Sequence, residues 1–156
     1  TDAHTPASLC TPTRYGILTG RYGWRSSLKR GVLKHYDPPL IEPERFTVGQ
    51  LFQENAYATA CIGKWHLGWD WPLKNNSFFR DSLYKGNEKP ADRLRIEKLV
   101  DFSKPIDNGP TTKGFDYYFG DFDTCSFVGQ ARQHLYRFIA HHYPMDGCHW
   151  VFRRLY

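Results

Sequence analysis

The chain has 156 residues, enough for one domain of ordinary size with its own hydrophobic core. Hydrophobic residues make up 40% and charged residues 24%, a balance that excludes an intrinsically disordered chain. The formal net charge of +5 suits an anionic partner, but it equally suits a soluble protein with no such partner.

The first predicted element is a short helix within residues 10–20, CTPTRYGILTG. We expect Thr11 to cap it, Pro12 to occupy its first position, and Gly20 to end it in the left-handed conformation. Arg14 would then lie in the first turn, where a cation opposes the helix dipole unless an anion binds nearby. A thiol, free N–H groups and an arginine together predict an anion site with a nucleophile.

Basic residues and then prolines follow this helix. Arg21, Arg25 and Lys29 recur every four residues, so on a helix they would form one basic stripe, either to attract an anion or as a solvated face. Residues 37–43, DPPLIEP, cannot be helical because of their prolines and predict a connector.

A helix and a strand are predicted next, which is α/β organisation. Thr47 is the expected N-cap of a helix that runs to about Asn55, with an apolar face made by Val48, Leu51 and Phe52. The stretch 57–62, YATACI, then reads as a buried strand.

Two polar side chains follow the end of this strand at Gly63. Lys64 and His66 are two apart, so on an extended chain they would face one side while Trp65 faces the other. Such residues border the ligand crevice of an open α/β sheet, which predicts a site here. The alternative is a solvent-exposed lysine beside a packed histidine.

The end of the chain has a different character. Residues 130–143 predict an amphipathic helix. Several histidines and cysteines invite a zinc site, but their spacing matches no standard zinc pattern: His134, His141, His142, His149, Cys125 and Cys148. A divergent tail, or one translated in the wrong frame, is the more economical interpretation.

Two stretches, in the right order, resemble the signatures of the type I sulfatases. The first is Cys-x-Pro-x-Arg followed by Leu-Thr-Gly-Arg within residues 8–21, and the second is YATACIGKWHLG at 57–68. A Gly-Phe-Asp segment at 114–116 also resembles sulfatase sequence. The resemblance implies an α/β, alkaline-phosphatase-like fold, with 1–122 as part of an N-terminal catalytic domain and 123–156 as a divergent tail. We therefore expect a fragment of a longer protein, inactive alone.

The same resemblance implies a set of site residues. Cys10 would be oxidised to formylglycine, whose hydrate attacks the sulfur of a sulfate monoester. Arg14 would stabilise the negative charge there, and Lys64 would bind a sulfate oxygen. His66 would also bind the substrate, and it would orient the nucleophile or move its protons. Thr11 occupies a variable position of the motif. In the family, glycine usually precedes the strand where this chain has Ala56, which costs about 1 kcal/mol if that residue needs positive φ.

Cofactors and partners follow from the resemblance as well. The family binds one divalent cation, usually Ca²⁺, with Cys10 as formylglycine among its ligands and the others outside this chain. The expected partners are a small-molecule or glycan sulfate ester and a formylglycine-generating maturase. The expected location is periplasmic, secreted or lysosomal, although no signal peptide is present in these residues.

Two alternatives stay open. Formylglycine-dependent phosphonate or phosphodiester hydrolases share Cys-x-Pro-x-Arg, and sulfate and phosphate groups have the same tetrahedral shape. A non-catalytic basic module that binds polyanions would need only the charge and the aromatic residues, but it leaves the spacing of both signatures unexplained. We expect no membrane partner, because no apolar run approaches transmembrane length. We expect no nucleic-acid partner, because a polyanion-binding module does not account for the two signatures.

Overall fold

The structure is a computed structural model that describes residues 2–75 and 95–120 and the backbone of 149–154. Its regular elements, in chain order, are helix α1 (Cys10–Thr19), helix α2 (Val48–Glu54), and strands β1 (Tyr57–Ile62), β2 (Tyr117–Phe119) and β3 (His149–Arg154). Single 3₁₀ turns lie at Gly23–Arg25 and Pro110–Lys113. Across these described ranges, no helix combines the length and apolarity needed to cross a bilayer.

The strands form a mixed sheet with β1 at its centre, in the order β2-β1-β3. Strand β2 runs parallel to β1, with Ile62 opposite Phe119. Strand β3 runs antiparallel to β1, with Ile62 opposite His149. The helix predicted at 130–143 lies outside the described residues. So do these members of the candidate zinc site: Cys125, His134, His141, His142 and Cys148.

Helix α2 and strand β1 form where the sequence predicts them. The Thr47 hydroxyl accepts from the Gln50 amide, and the Gln50 side chain accepts from the Thr47 amide, which completes a capping box. Ala56 connects the two elements with φ 60°, the left-handed value anticipated for that position. The apolar face is only partly buried, because Leu51 is exposed.

Helix α1 begins two residues before its predicted start. Its N-cap is Leu9, which makes no side-chain capping bond, so the assignment of Thr11 as N-cap is wrong. Pro12 is consequently the third helical residue and Arg14 lies in the second turn. The C-terminus is as expected: Gly20 has φ 66° and its N–H donates to the carbonyl of Gly16.

The basic stripe does not form. Within residues 20–30 only Gly23–Arg25 is helical, as one 3₁₀ turn, so Arg21, Arg25 and Lys29 do not share a helix face. The Cβ that a side chain at Gly23 would add lies 2.5 Å from Cβ of Pro12, and this close packing brings the chain back against α1.

The core lies beneath the segment that follows β1. The rings of Trp65, Trp69 and Trp71 pack in sequence, with centroids 6.2 and 6.5 Å apart. Tyr15 and Leu18 of α1 belong to the same buried cluster. The helix and the segment after β1 are therefore fixed to each other through a shared hydrophobic core.

The Gly-Phe-Asp segment packs as expected. Phe115 is 1% exposed, and Gly114 has φ 90° at a place where an added Cβ would lie 2.0 Å from the Gln50 amide nitrogen. The buried ammonium of Lys113 donates to the carbonyls of Glu42 and Pro43, and burial lowers its pKa. This segment thus joins α2 to the sheet.

Candidate active site

The N-terminus of α1 faces the segment that follows β1. Cys10 is the first residue of the helix and is half-buried. Its Sγ lies 3.1 Å from Nδ1 of His66, which is 5% exposed. The contact joins residues 56 positions apart, so the fold brings together two of the predicted site residues.

The hydrogen bonds of His66 define its tautomer. Nε2 lies 2.9 Å from the carbonyl oxygen of Leu33. Because a carbonyl can only accept, Nε2 carries the proton, and in the neutral ring Nδ1 is left as an acceptor. The thiol of Cys10 therefore donates to Nδ1, which places a base against the predicted nucleophile.

The segment carrying Lys64 and His66 is not extended, which corrects the prediction made from alternation. His66 has φ 54°, while Gly63 and Gly68 have φ 100° and 81°. Left-handed residues turn the chain, so the two-residue alternation of a strand does not apply. Trp65 is 1% exposed and donates from Nε1 to the carbonyl of Gly68, inside the turn that these residues make.

Arg14 and Lys64 form a second link between α1 and this segment. A guanidinium N–H of Arg14 donates to the backbone carbonyl of Lys64 at 2.5 Å. Lys64 itself is 8% exposed, so the predicted exposed-lysine alternative is wrong. Two cationic residues are thus close to His66: Lys64, in the same segment, and Arg14, which is hydrogen-bonded to that segment.

The helix end adds to this electropositive setting. The first N–H groups of an α-helix lack partners inside the helix, and the aligned peptide dipoles leave partial positive charge there. Cys10, at the first helical position, lies at that end of α1. Negative charge on residue 10, or on an anion beside it, is therefore favoured.

Three residues near the site, Thr11, Leu33 and Asp37, have contacts that the sequence analysis did not predict. Thr11 is fully buried, and its hydroxyl bonds to the backbones of Leu33 and His66. Burial raises the pKa of the Asp37 carboxyl, while the hydrogen bond from the Lys34 N–H and the charge of Lys34 oppose the shift. Only Thr11 had a sequence signal, its place beside the cysteine; no pattern marks a backbone carbonyl or a carboxylate in a proline-rich connector.

The described residues do not make a calcium site. Among them, no group of three or more His, Cys, Asp or Glu side chains is arranged to hold a metal ion. The side chains in contact at the helix end are a thiol and an imidazole, whereas calcium takes six to eight oxygen ligands. The predicted Ca²⁺ therefore does not fit the described residues alone.

Comparisons with known proteins agree on one family. The family model described as Sulfatase matches residues 1–134. The N-acetylgalactosamine-6-O-sulfatase of Bacteroides thetaiotaomicron is 37% identical over 68 residues, and human arylsulfatase A is 41% identical over 68. Rat arylsulfatase G is 32% identical over 121 residues, 76% of this chain. The matched parts are 13%, 13% and 16% of those proteins, so the chain spans a small share of their length.

A solved structure is similar in fold as well. Its title concerns the metabolism of multiple glycosaminoglycans by Bacteroides thetaiotaomicron, and its TM-score is 0.53 at 29% identity. The match covers 76% of this chain and 19% of that one. It confirms the predicted α/β, alkaline-phosphatase-like fold, of which the described residues form a part.

Proposed function

This chain belongs to the sulfatase family, and on that premise we propose that the protein is a sulfuric ester hydrolase that works through residue 10. The observation that carries the proposal is the 3.1 Å contact between Cys10 Sγ and His66 Nδ1 at the N-terminus of α1. It unites the two sulfatase-like stretches of the sequence at one point. The boundary between a catalytic part, 1–122, and a divergent tail, 123–156, belongs to the same proposal.

Residue 10 is proposed to act as formylglycine, which in its hydrated form supplies a hydroxyl nucleophile for sulfur. In this proposal His66 is the general base that accepts the proton of that nucleophile. Its Nδ1 accepts from side chain 10, and its Nε2 stays occupied by the Leu33 carbonyl. The proton therefore moves at Nδ1, as general base catalysis requires of a group in hydrogen-bond contact.

Arg14 and Lys64 supply positive charge. Arg14 donates to the Lys64 carbonyl through one guanidinium nitrogen, and its fixed positive charge stabilises the negative charge that develops at residue 10. Lys64 binds a sulfate oxygen as that oxygen gains negative charge. Cations fixed beforehand in a water-poor site stabilise such charge without reorganising, which is how they lower the barrier.

The remaining assignments rest on the family. We propose one Ca²⁺, with residue 10 among its ligands and the others supplied from outside the described residues, and a maturase that converts Cys10. The substrate is a sulfate ester of a small molecule or a glycan. The sulfatase from Bacteroides named for N-acetylgalactosamine-6-O-sulfate supports the glycan. A periplasmic, secreted or lysosomal location completes the proposal.

Mass spectrometry of the full-length protein, produced together with a formylglycine-generating enzyme, gives the first test. The peptide with residue 10 should show the mass of an aldehyde, while the peptide with Cys61, buried in β1, should keep its thiol. An unmodified Cys10 in an active protein would overturn the formylglycine assignment.

Parallel assays on an aryl sulfate and an aryl phosphate diester test the reaction itself. We expect faster turnover of the sulfate, and its loss in Cys10→Ala. Preference for the diester would favour the phosphodiesterase alternative. Binding of sulfated polysaccharide that weakens steeply with salt, without turnover of either ester, would favour the polyanion-binding module.

A further inference from the structure

Three hydrogen bonds link Thr11, Leu33 and His66 into a ring next to the contact between Cys10 and His66. Thr11, the neighbour of Cys10, donates its hydroxyl proton to the carbonyl of His66 at 3.1 Å. The hydroxyl oxygen of Thr11 also accepts from the N–H of Leu33 at 3.3 Å. Leu33 in turn accepts from Nε2 of His66 at 2.9 Å, so one hydroxyl ties together both backbones that hold the imidazole.

We infer that Thr11 is a positioning residue that sets the His66 imidazole against residue 10. The hydroxyl is fully buried, and it fixes the backbone of His66 directly. It fixes the ring indirectly, because it anchors the residue whose carbonyl receives Nε2–H. A position that is variable in the motif thus supports the geometry of the catalytic pair.

The backbone of His66 makes this support necessary. Its φ of 54° lies in the left-handed region, which is sterically unfavourable for a residue other than glycine. Such a conformation persists only where surrounding contacts over-determine it. Without the hydroxyl, the buried Leu33 N–H and His66 C=O lose this partner, and the segment relaxes toward a conformation that satisfies them otherwise.

Kinetic constants of the full-length, modified protein test the inference, which for this readout rests on the proposed function. Thr11→Val removes the hydroxyl at nearly constant shape. We expect kcat to fall about 10- to 100-fold, because displacement of a catalytic group by about 1 Å costs this much. KM should change less than kcat, since the hydroxyl of Thr11 bonds to backbone groups of His66 and Leu33 and not to the side chain of Lys64. Thr11→Ser should restore most of kcat.

Thr47→Val is the matched control. Thr47 is also buried, donates to a distant carbonyl, that of Lys113, at 2.7 Å, and accepts from a backbone amide, that of Gln50, at 3.3 Å. Its loss should lower stability comparably without lowering kcat. A fall in kcat that is equal in both variants would show that Thr11 acts through stability alone and would overturn the inference.

A second readout does not depend on turnover. In ¹⁵N-histidine spectra of the full-length protein, the signal absent from His66→Asn should report one tautomer, with Nε2 protonated. In Thr11→Val that signal should shift toward a mixture of tautomers, while in Thr47→Val it should not. An unchanged signal in Thr11→Val would overturn the inference. A protein that shows the shift but hydrolyses no sulfate ester would overturn only the proposed function.

Discussion

Thr59 and Asp116 form a reciprocal hydrogen-bonded pair across the sheet. The N–H and hydroxyl of Thr59 donate to Oδ2 of Asp116 at 2.8 and 2.9 Å, and the Asp116 N–H donates back to that hydroxyl at 3.0 Å. Gln53 of α2 donates to the other carboxylate oxygen. Hydrogen bonds from Thr59 and Gln53 lower the pKa of Asp116, so this carboxylate fastens β2 to β1 and α2 only while it is ionised.

Neutralising Asp116 should therefore cost stability in a pH-dependent way. A carboxyl with a lowered pKa contributes stability above its ordinary pKa, 3.8, and loses the contribution as pH falls through the folded value. Asp116→Asn should unfold roughly 0.5–1 kcal/mol more easily at pH 7, a small value because the carboxylate is exposed. Urea unfolding between pH 7 and pH 3 should show the two curves converging in acid; a constant gap would contradict the assignment.

Two glycines with positive φ should respond very differently to alanine. Gly20→Ala pays only for the left-handed backbone, about 1 kcal/mol, because nothing lies within 4 Å of the added Cβ. Gly68→Ala also places a Cβ 2.1 Å from the Pro38 carbonyl oxygen, so it should cost about 1–3 kcal/mol more. Chemical unfolding of both variants measures the difference in the free energy of unfolding. An equal loss in both would mean that the backbone around Gly68 moves away from Pro38 at no cost.

The opposite change is expected to help at Ala56. This exposed alanine has φ 60°, which glycine adopts without a steric penalty. Ala56→Gly should raise the free energy of unfolding by roughly 0.5 kcal/mol, the left-handed penalty less the entropy that glycine loses on folding. A matched glycine at Ala58, inside β1, should lower it. Destabilisation by Ala56→Gly would be inconsistent with the left-handed assignment.

The substitution His66→Gln should distinguish the contribution of His66 to stability from its contribution to catalysis. The amide nitrogen of the glutamine lies where Nε2 does and can still donate to the Leu33 carbonyl, but the acceptor facing Cys10 is gone. We expect near-normal stability of His66→Gln and a kcat reduced about 10²–10⁴-fold, the usual share of a general base. Comparing kcat/KM for an aryl sulfate with urea unfolding checks both; retained activity would remove His66 from the mechanism.

Local signals made part of this fold predictable. The capping box that begins α2 involves Thr47 and Gln50, three residues apart, so its pattern is visible in the sequence. Strand β1 follows from its apolar run, and the family's usual glycine before that strand raised the positive φ of Ala56 as a condition. The pairing of Cys10 with His66 was within reach because both lie in stretches that resemble one family.

The errors come from interactions across long separations. Thr11 has the composition of an N-cap, but its hydroxyl is engaged by residues 22 and 55 positions away, and the helix begins before it. Alternation along the chain assigned Lys64 and His66 to one side, yet the turn is made by a left-handed histidine, a conformation that is uncommon for any residue other than glycine. Only the folded surroundings supply the free energy for such a residue.

The three neighbouring indoles beside the site have an optical consequence. Trp65, Trp69 and Trp71 are all buried within the segment that bears His66, whereas Trp24 is 58% exposed and stacks with Tyr22. Unfolding of this segment would expose three of the five tryptophans of this chain to solvent and shift their fluorescence emission to longer wavelength. The tryptophan emission wavelength of this chain therefore reports whether the segment that carries His66 is packed in its native position.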